Sequence, residues 1–224
     1  IISSGICGTD THILEGKNYV PFPIILGHEG AGIVESIGKG VTTVKPGDNV
    51  VTLFLIQCGE CSPCLDSGDN YCMKLKQSKT PLKSHGTRIC KGKSVKHFTF
   101  TSIFTEYIVV RDMSTVNTDI VAPLDKVCLI SCGFATGFGP AITAKVTPGS
   151  TSMSSPLGVG LIMGAERIIG VDINKDKFKK AKQIGATKCI KPQNLKEPIQ
   201  EVVFNMIGAG VEFSFEVTGK PDTL

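Results

Sequence analysis

Nine cysteines and four histidines give this 224-residue chain its best means of holding a metal. Cys58, Cys61, Cys64 and Cys72 fall within fifteen positions, the first three at successive intervals of three. Four thiolates so spaced can wrap one tetrahedral Zn²⁺ in a closed shell that admits neither water nor substrate. Such a site is structural, and its metal contributes folding free energy to a loop with little core of its own. An iron–sulfur cluster is the competing reading, because short CxxCxxC runs also serve clusters. A second stretch, Gly27-His28-Glu29-Gly30-Ala31-Gly32, sets a histidine between glycines with a carboxylate beside it. His28 offers a neutral ring nitrogen. With the distant Cys7 and Cys132 it would supply two thiolates and one imidazole, leaving one zinc position open, as a catalytic zinc requires. Spacing alone equally allows an ordinary hydrogen-bonded histidine there.

Other polar residues flank these candidates. Thr9 follows Cys7 by two positions and His12 lies three further on. A hydroxyl near a reacting oxygen can pass a proton outward to a histidine at the surface. The plainer alternative is a polar loop with a helix N-cap at Thr9 or Asp10. Phe54 lies near the end of the apolar run 49–56 and suits either the core or a ligand pocket. Asp172 ends a short apolar strand. An acid there commonly holds a ribose 2′-hydroxyl and repels a 2′-phosphate, favouring NAD over NADP; the plainer alternative is an acid in a strand-end turn. The glycine loop expected upstream is poor: Pro156-Leu157-Gly158-Val159-Gly160 retains only Gly158 and Gly160.

The elements that would position these groups divide the chain in two. Residues 49–56 and 104–110 read as strands, and Leu124, Val127, Cys128 and Ser131 follow a helical spacing. Regularity breaks at residues 132–139, as it often does in a site-forming segment. From Phe134 onward the pattern alternates: a strand at 167–172, a basic helix at 175–184, a helix at 198–207 opened by Pro198, and an alternating strand at 211–217. Strand–helix–strand repetition predicts a parallel sheet. The fold class expected is α/β with a β-rich part, divided into residues 1–133 and 134–224.

A hydrophobic content of 41% and a charged content of 20% fit a globular chain with a sizeable core. The net charge of +4 is no nucleic-acid footprint. The basic run from Lys74 to Lys96 is interleaved with Gly, Ser and Thr and reads as a solvated loop. No apolar run reaches the roughly 18 residues of a membrane span. The cysteine spacing favours metal and a reducing compartment over a disulfide framework. A chain opening on Ile1 and closing on Leu224 reads as a fragment.

Taken together, the sequence resembles the zinc-dependent medium-chain alcohol dehydrogenases, most closely the vertebrate liver-type classes. The stretch from Gly27 to Gly38 is similar to that family's zinc signature, and the Cys58, Cys61, Cys64 and Cys72 lobe to its structural-zinc loop. The resemblance covers essentially all 224 residues. It implies a GroES-like catalytic domain followed by a partial Rossmann-type coenzyme domain, with two Zn²⁺ per chain and NAD as cofactors. Cys7, His28 and Cys132 fall at the catalytic zinc ligands, with Glu29 beside the zinc. Asp10 falls where a carboxylate orients the ligand histidine. Thr9 and His12 fall at the proton relay and Phe54 in the substrate pocket. Thr136 falls near the nicotinamide, and Asp172 and Lys177 at the adenosine ribose. Gly8 falls where several relatives carry a basic residue against the coenzyme pyrophosphate, which implies a weaker grip on the coenzyme. The implied activity interconverts alcohols with aldehydes or ketones by hydride transfer to NAD⁺, in the cytoplasm, with a homodimer as the complete assembly and no nucleic-acid or membrane partner.

The departures concentrate in the coenzyme half. The family's N-terminal residues and everything after Leu224 are absent. The strand before the glycine turn would be Thr151-Ser152-Met153-Ser154-Ser155, which is polar. Pro156 stands at the first glycine, and Asp172 follows Gly160 by only 12 positions, where roughly 20 are usual. The crossover looks too short to run back along the sheet, and Pro140 interrupts an expected helix. A catalytically silent zinc-binding remnant unable to bind NAD is therefore the alternative. A zinc-free quinone reductase of the same superfamily is opposed by the intact cysteine lobe.

Overall fold

The computed structural model describes residues 1–17, 20–66, 68–74, 88–155 and 164–217. They form two compact units, Ile1–Gly133 and Phe134–Leu224. In the first unit, β1 (Ser3–Gly5), β3 (Glu29–Ile33), β4 (Asn49–Thr52) and β7 (Thr115–Asn117) make an antiparallel sheet in the order β1-β3-β4-β7. Gly5 pairs with Glu29 and Ser3 with Ala31. This register brings the chain around Cys7 beside the chain around His28. Helix α1 (Gly8–Leu14) leaves β1 at Cys7 and buries Asp10 and Ile13. A second sheet joins β2 (Ile24–Ile25), β6 (Lys93–His97) and β5 (Arg88–Cys90). The short helix α2 (Ser62–Leu65) carries Cys64.

The segment that ends this unit departs from a single helix. The short α3 (Leu124–Val127) tightens into a 3-10 turn over Cys128–Ser131, and the chain then breaks at Cys132 (φ −145°, ψ −67°). Helix α4 (Gly133–Thr143) follows at once, running through Pro140 where the sequence suggested irregular chain. Residues 104–110 are not a strand. Tyr107 and Val109 are 66% and 82% exposed, and no neighbouring strand among the described residues pairs with the segment. A strand needs a partner as well as a pattern.

The second unit holds a parallel sheet in the order β10-β9-β8-β11, built from β8 (Thr151–Ser155), β9 (Arg167–Val171), β10 (Lys188–Ile190) and β11 (Phe213–Glu216). Helix α5 (Lys177–Gln183) is shorter than its pattern at both ends. Helix α6 (Ile199–Ile207) has Pro198 as its N-cap and stops at Gly208, whose φ of +80° suits glycine. Ile199 and Val203 pack with Ile169, Val171 and Ile190 across the sheet. Despite the short crossover, β8 pairs in parallel with β9, Thr151 opposite Arg167.

The polar strand β8 is central, between β9 and β11. Ser152 is fully buried and its hydroxyl has no hydrogen-bond partner among the described residues. A buried polar group left unsatisfied costs about 1–3 kcal/mol. Ser152→Ala removes that group without overfilling the site. Its expected effect is a gain of about 1 kcal/mol, read as a higher urea midpoint at unchanged slope; an unchanged or lower midpoint would show the hydroxyl is satisfied in solution.

Candidate active site and metal centres

Two groups of side chains are arranged as metal sites. In the first, the sulfurs of Cys58, Cys61, Cys64 and Cys72 all lie within 4.8 Å of one another. Cys58 Sγ is 3.8 Å from Cys64 Sγ and Cys61 Sγ is 3.9 Å from Cys72 Sγ. Metal–sulfur bonds of about 2.3 Å place the sulfurs of a tetrahedral site about 3.8 Å apart. The spacing therefore fits one zinc with four thiolates. Local folding produces it: Cys61 caps α2 and Gly59 turns the chain at φ +74°. Cys72 is fully buried against Ile56 and Phe100. The thiols are not equivalent. Backbone donation, led by the Glu60 N–H, draws Cys58 down to about 6, whereas burial pushes Cys64 up to about 11. Lys74 closes the rim by pairing with Glu60.

The second group is Cys7, His28, Glu29 and Cys132, also mutually within 4.8 Å. Cys7 and Cys132 sulfurs are 3.9 Å apart, again a tetrahedral edge. The donor set of two thiols and one imidazole suits zinc with a position to spare. Asp10, 1% exposed, ties the parts together. Its Oδ1 accepts from the Gly27 N–H at 3.0 Å and its Oδ2 from the Cys7 N–H at 3.1 Å. Oδ1 also lies 3.4 Å from His28 Nδ1 without forming a hydrogen bond to it. One carboxylate thus holds the backbones of two candidate ligand segments. Asp10 is the third residue of α1, with Cys7 as the N-cap, so neither Thr9 nor Asp10 is the cap. Glu29 is buried and accepts from the Gly133 N–H at 3.0 Å, drawing the chain after Cys132 toward β3.

The His28 ring is set edge-to-face against Phe54 and Phe98, with centroids 5.4 and 5.7 Å away. Phe54 is half-buried at the site. Phe98 carries no periodic signal and lies in a stretch that reads as plain loop. Thr9 is exposed, its Oγ1 3.6 Å from Cys7 Sγ; His12 is exposed on α1; and Gly8 has open space around it.

The second unit carries the coenzyme candidates. Asp172 follows β9, and its Oδ2 accepts from Lys177 Nζ at 2.9 Å. Burial tends to raise the Asp172 carboxyl, but the Asn174 N–H and Lys177 outweigh it and the net shift is downward. The group is an anion suited to accept from hydroxyls. Thr136 is exposed on α4. Gly158 and Gly160 lie outside the described residues.

This pairing of a β-rich unit bearing two thiolate sites with a parallel α/β unit defines a zinc-type dehydrogenase. Residues 1–119 match the family model described as "Alcohol dehydrogenase GroES-like domain", and residues 159–224 that described as "Zinc-binding dehydrogenase". The chain belongs to the zinc-binding alcohol dehydrogenase family. It is 53% identical to alcohol dehydrogenase 6 of Peromyscus maniculatus over a 236-residue alignment spanning all of this chain and 63% of the relative. Among solved structures, benzyl alcohol dehydrogenase from Acinetobacter calcoaceticus superposes with a TM-score of 0.83 at 32% identity, covering 99% of this chain and 62% of that one. An alcohol dehydrogenase zinc-binding domain protein from Burkholderia ambifaria gives 0.85 at 30%, covering 99% and 63%. The chain therefore spans less than two thirds of the length of these relatives. No single helix among the described residues is long and apolar enough to cross a membrane.

Proposed function

We propose that this chain is the metal-bearing part of a cytoplasmic, NAD-dependent alcohol dehydrogenase that interconverts alcohols with aldehydes or ketones, assembled as a homodimer in its complete form. The observation that carries the reading is the convergence of Cys7, His28 and Cys132 from three remote stretches beside the buried Glu29. A structural zinc in the Cys58, Cys61, Cys64 and Cys72 lobe and a catalytic one at the other site account for both donor sets. Zinc bound with an open position supplies Lewis-acid polarisation of an alcohol oxygen. The remaining work falls to the chain. Asp10 fixes the Cys7 and Gly27 backbones and so the approach of His28. Phe54 and Phe98 confine the ring and exclude water. Thr9 takes the alcohol proton and His12, exposed on the same helix, releases it to solvent. Asp172 and Lys177 receive the adenosine ribose, Thr136 the nicotinamide, and Gly8, Gly158 and Gly160 the pyrophosphate side. The negative Asp172 favours NAD.

A second reading is the zinc-binding remnant that no longer takes coenzyme. The 236-residue alignment is longer than the 224-residue chain, in keeping with a shortened coenzyme turn after β8. Zinc per purified chain, followed by NAD and NADP titration, separates the readings. Two zincs with NAD bound more tightly than NADP supports the dehydrogenase. Two zincs without NAD binding leaves the remnant, and fewer than two overturns the paired-site assignment.

A further inference from the structure

A strained turn joins the four-cysteine lobe to the chain that presents His28. Residues 98–104 clasp the three carbonyls immediately before that histidine. Ser102 Oγ donates to the Ile25 carbonyl at 2.9 Å, the Phe104 N–H to Leu26 at 3.1 Å, and the Ile103 N–H to Gly27 at 2.9 Å. Thr101 Oγ1 donates to the same Gly27 oxygen at 3.3 Å, and the Phe98 ring meets His28 directly. Within this clasp Thr99, Phe100 and Ser102 have φ of +46°, +66° and +52°. Left-handed backbone is uncommon outside glycine and is an outlier for a bulky side chain. Three such residues in four persist only where their surroundings over-determine them. The surroundings of Phe100 are the metal lobe: it is 2% exposed in a cluster with Ile56 and Cys72, against which Cys58, Cys61, Cys64 and Met113 pack.

We infer that Phe100 is a positioning residue, plugged into the four-cysteine lobe, whose held left-handed backbone keeps the clasp closed on residues 25–27 and so keeps His28 in place for its metal. The inference rests on the reading that both sites bind zinc. A metal in the lobe rigidifies the pocket around Phe100, the plug holds the turn, and the turn holds His28. By thermodynamic linkage the two metals then tighten one another. Without the plug, the backbone at this position is free to relax toward negative φ, shifting the donors on residues 101, 103 and 104.

The test uses the full chain with zinc in the lobe and cobalt(II) in the Cys7, His28 and Cys132 site. It reads cobalt affinity by chelator competition and the cobalt visible spectrum. Phe100→Ala removes the plug and keeps the backbone penalty, so affinity should fall about tenfold or more, with an altered spectrum. Phe100→Gly removes the plug but adopts positive φ freely, so it should retain more affinity than the alanine variant. A plain packing role predicts the reverse order, since glycine deletes more and loosens more. Thr101→Val deletes the hydroxyl that donates to Gly27 and meets Thr99 Oγ1 at 3.2 Å, and should lower affinity several-fold with Phe100 in place. It decides the matter if Phe100→Ala does not fold. Equal losses in the alanine and glycine variants, or an unmoved spectrum and affinity in Thr101→Val, would overturn the assignment.

Discussion

Gly27→Ala is expected to leave the chain holding one zinc firmly instead of two. Gly27 precedes His28 and sits at φ +91°, where a side chain is strained whatever space surrounds it. A Cβ there would also come within 2.7 to 2.9 Å of three ring atoms of Phe104. Phe104 donates its own N–H to the Leu26 carbonyl, so displacing that residue opens the clasp on the histidine. Backbone strain alone amounts to about 1–2 kcal/mol, and about 1.4 kcal/mol is tenfold in affinity. With the ring displacement added, the His28 site should lose tenfold to a hundredfold while the four-cysteine lobe keeps its metal. Zinc retained per chain at a series of buffered free-zinc concentrations reads both sites. Gly40→Ala is the control: its φ is +87° but nothing lies within 4 Å, so it bears the strain far from the ligands and both zincs should stay. Loss of zinc in both variants would assign the effect to general destabilisation, and retention in both would remove Gly27 from the site's construction.

The contrast between these glycines shows what could be read from residues alone. The four-cysteine lobe is legible because its ligands are local, and three of the four lie on one short loop and helix. Cys7, His28 and Cys132 have no such spacing. Resemblance nominated them as a group, and only the β1–β3 register and the turn after Ser131 bring them within reach of one another. Phe98 and Phe100 were not legible at all. Their stretch has neither helical nor alternating period, and a left-handed phenylalanine is a tertiary outcome imposed by the lobe. Residues 104–110 show the opposite error. They are rich in apolar and β-branched residues that favour a strand, yet no described strand pairs with them. In the second unit, β9 and α6 were readable from apolar spacing. The strand at β8 is formed by polar residues because β9 and β11 hydrogen-bond its backbone on both sides.

Pro140→Ala should stabilise the second unit by about 2 kcal/mol. Helix α4 runs from Gly133 to Thr143 with Pro140 well inside it. A proline there has no N–H for the carbonyl one turn back and its ring crowds that carbonyl, at about 3 kcal/mol relative to alanine. The loss is offset by roughly 0.4–1 kcal/mol, because proline also restricts the unfolded chain. The helix nonetheless forms. Ala141, fully buried, packs with Val146, Ala165, Phe213 and Phe215, so tertiary burial holds a segment whose own propensity opposes it. Three glycines in the same helix, Gly133, Gly137 and Gly139, weaken it further. Supplying one N–H and relieving one clash should therefore raise the thermal midpoint of the whole chain by about 4–8 °C, at the 2–4 °C per kcal/mol usual for chains of this length. Calorimetry reads it, and the comparison is Pro148→Ala, in the turn between α4 and β8, where no helix is interrupted and the midpoint should not rise. If the parent chain binds NAD weakly, NAD titration of the Pro140→Ala chain separates two causes, because α4 also carries Thr136. Affinity that rises with the midpoint traces the weakness to a frayed helix; affinity that stays absent in a stabilised unit traces it to the shortened turn after β8.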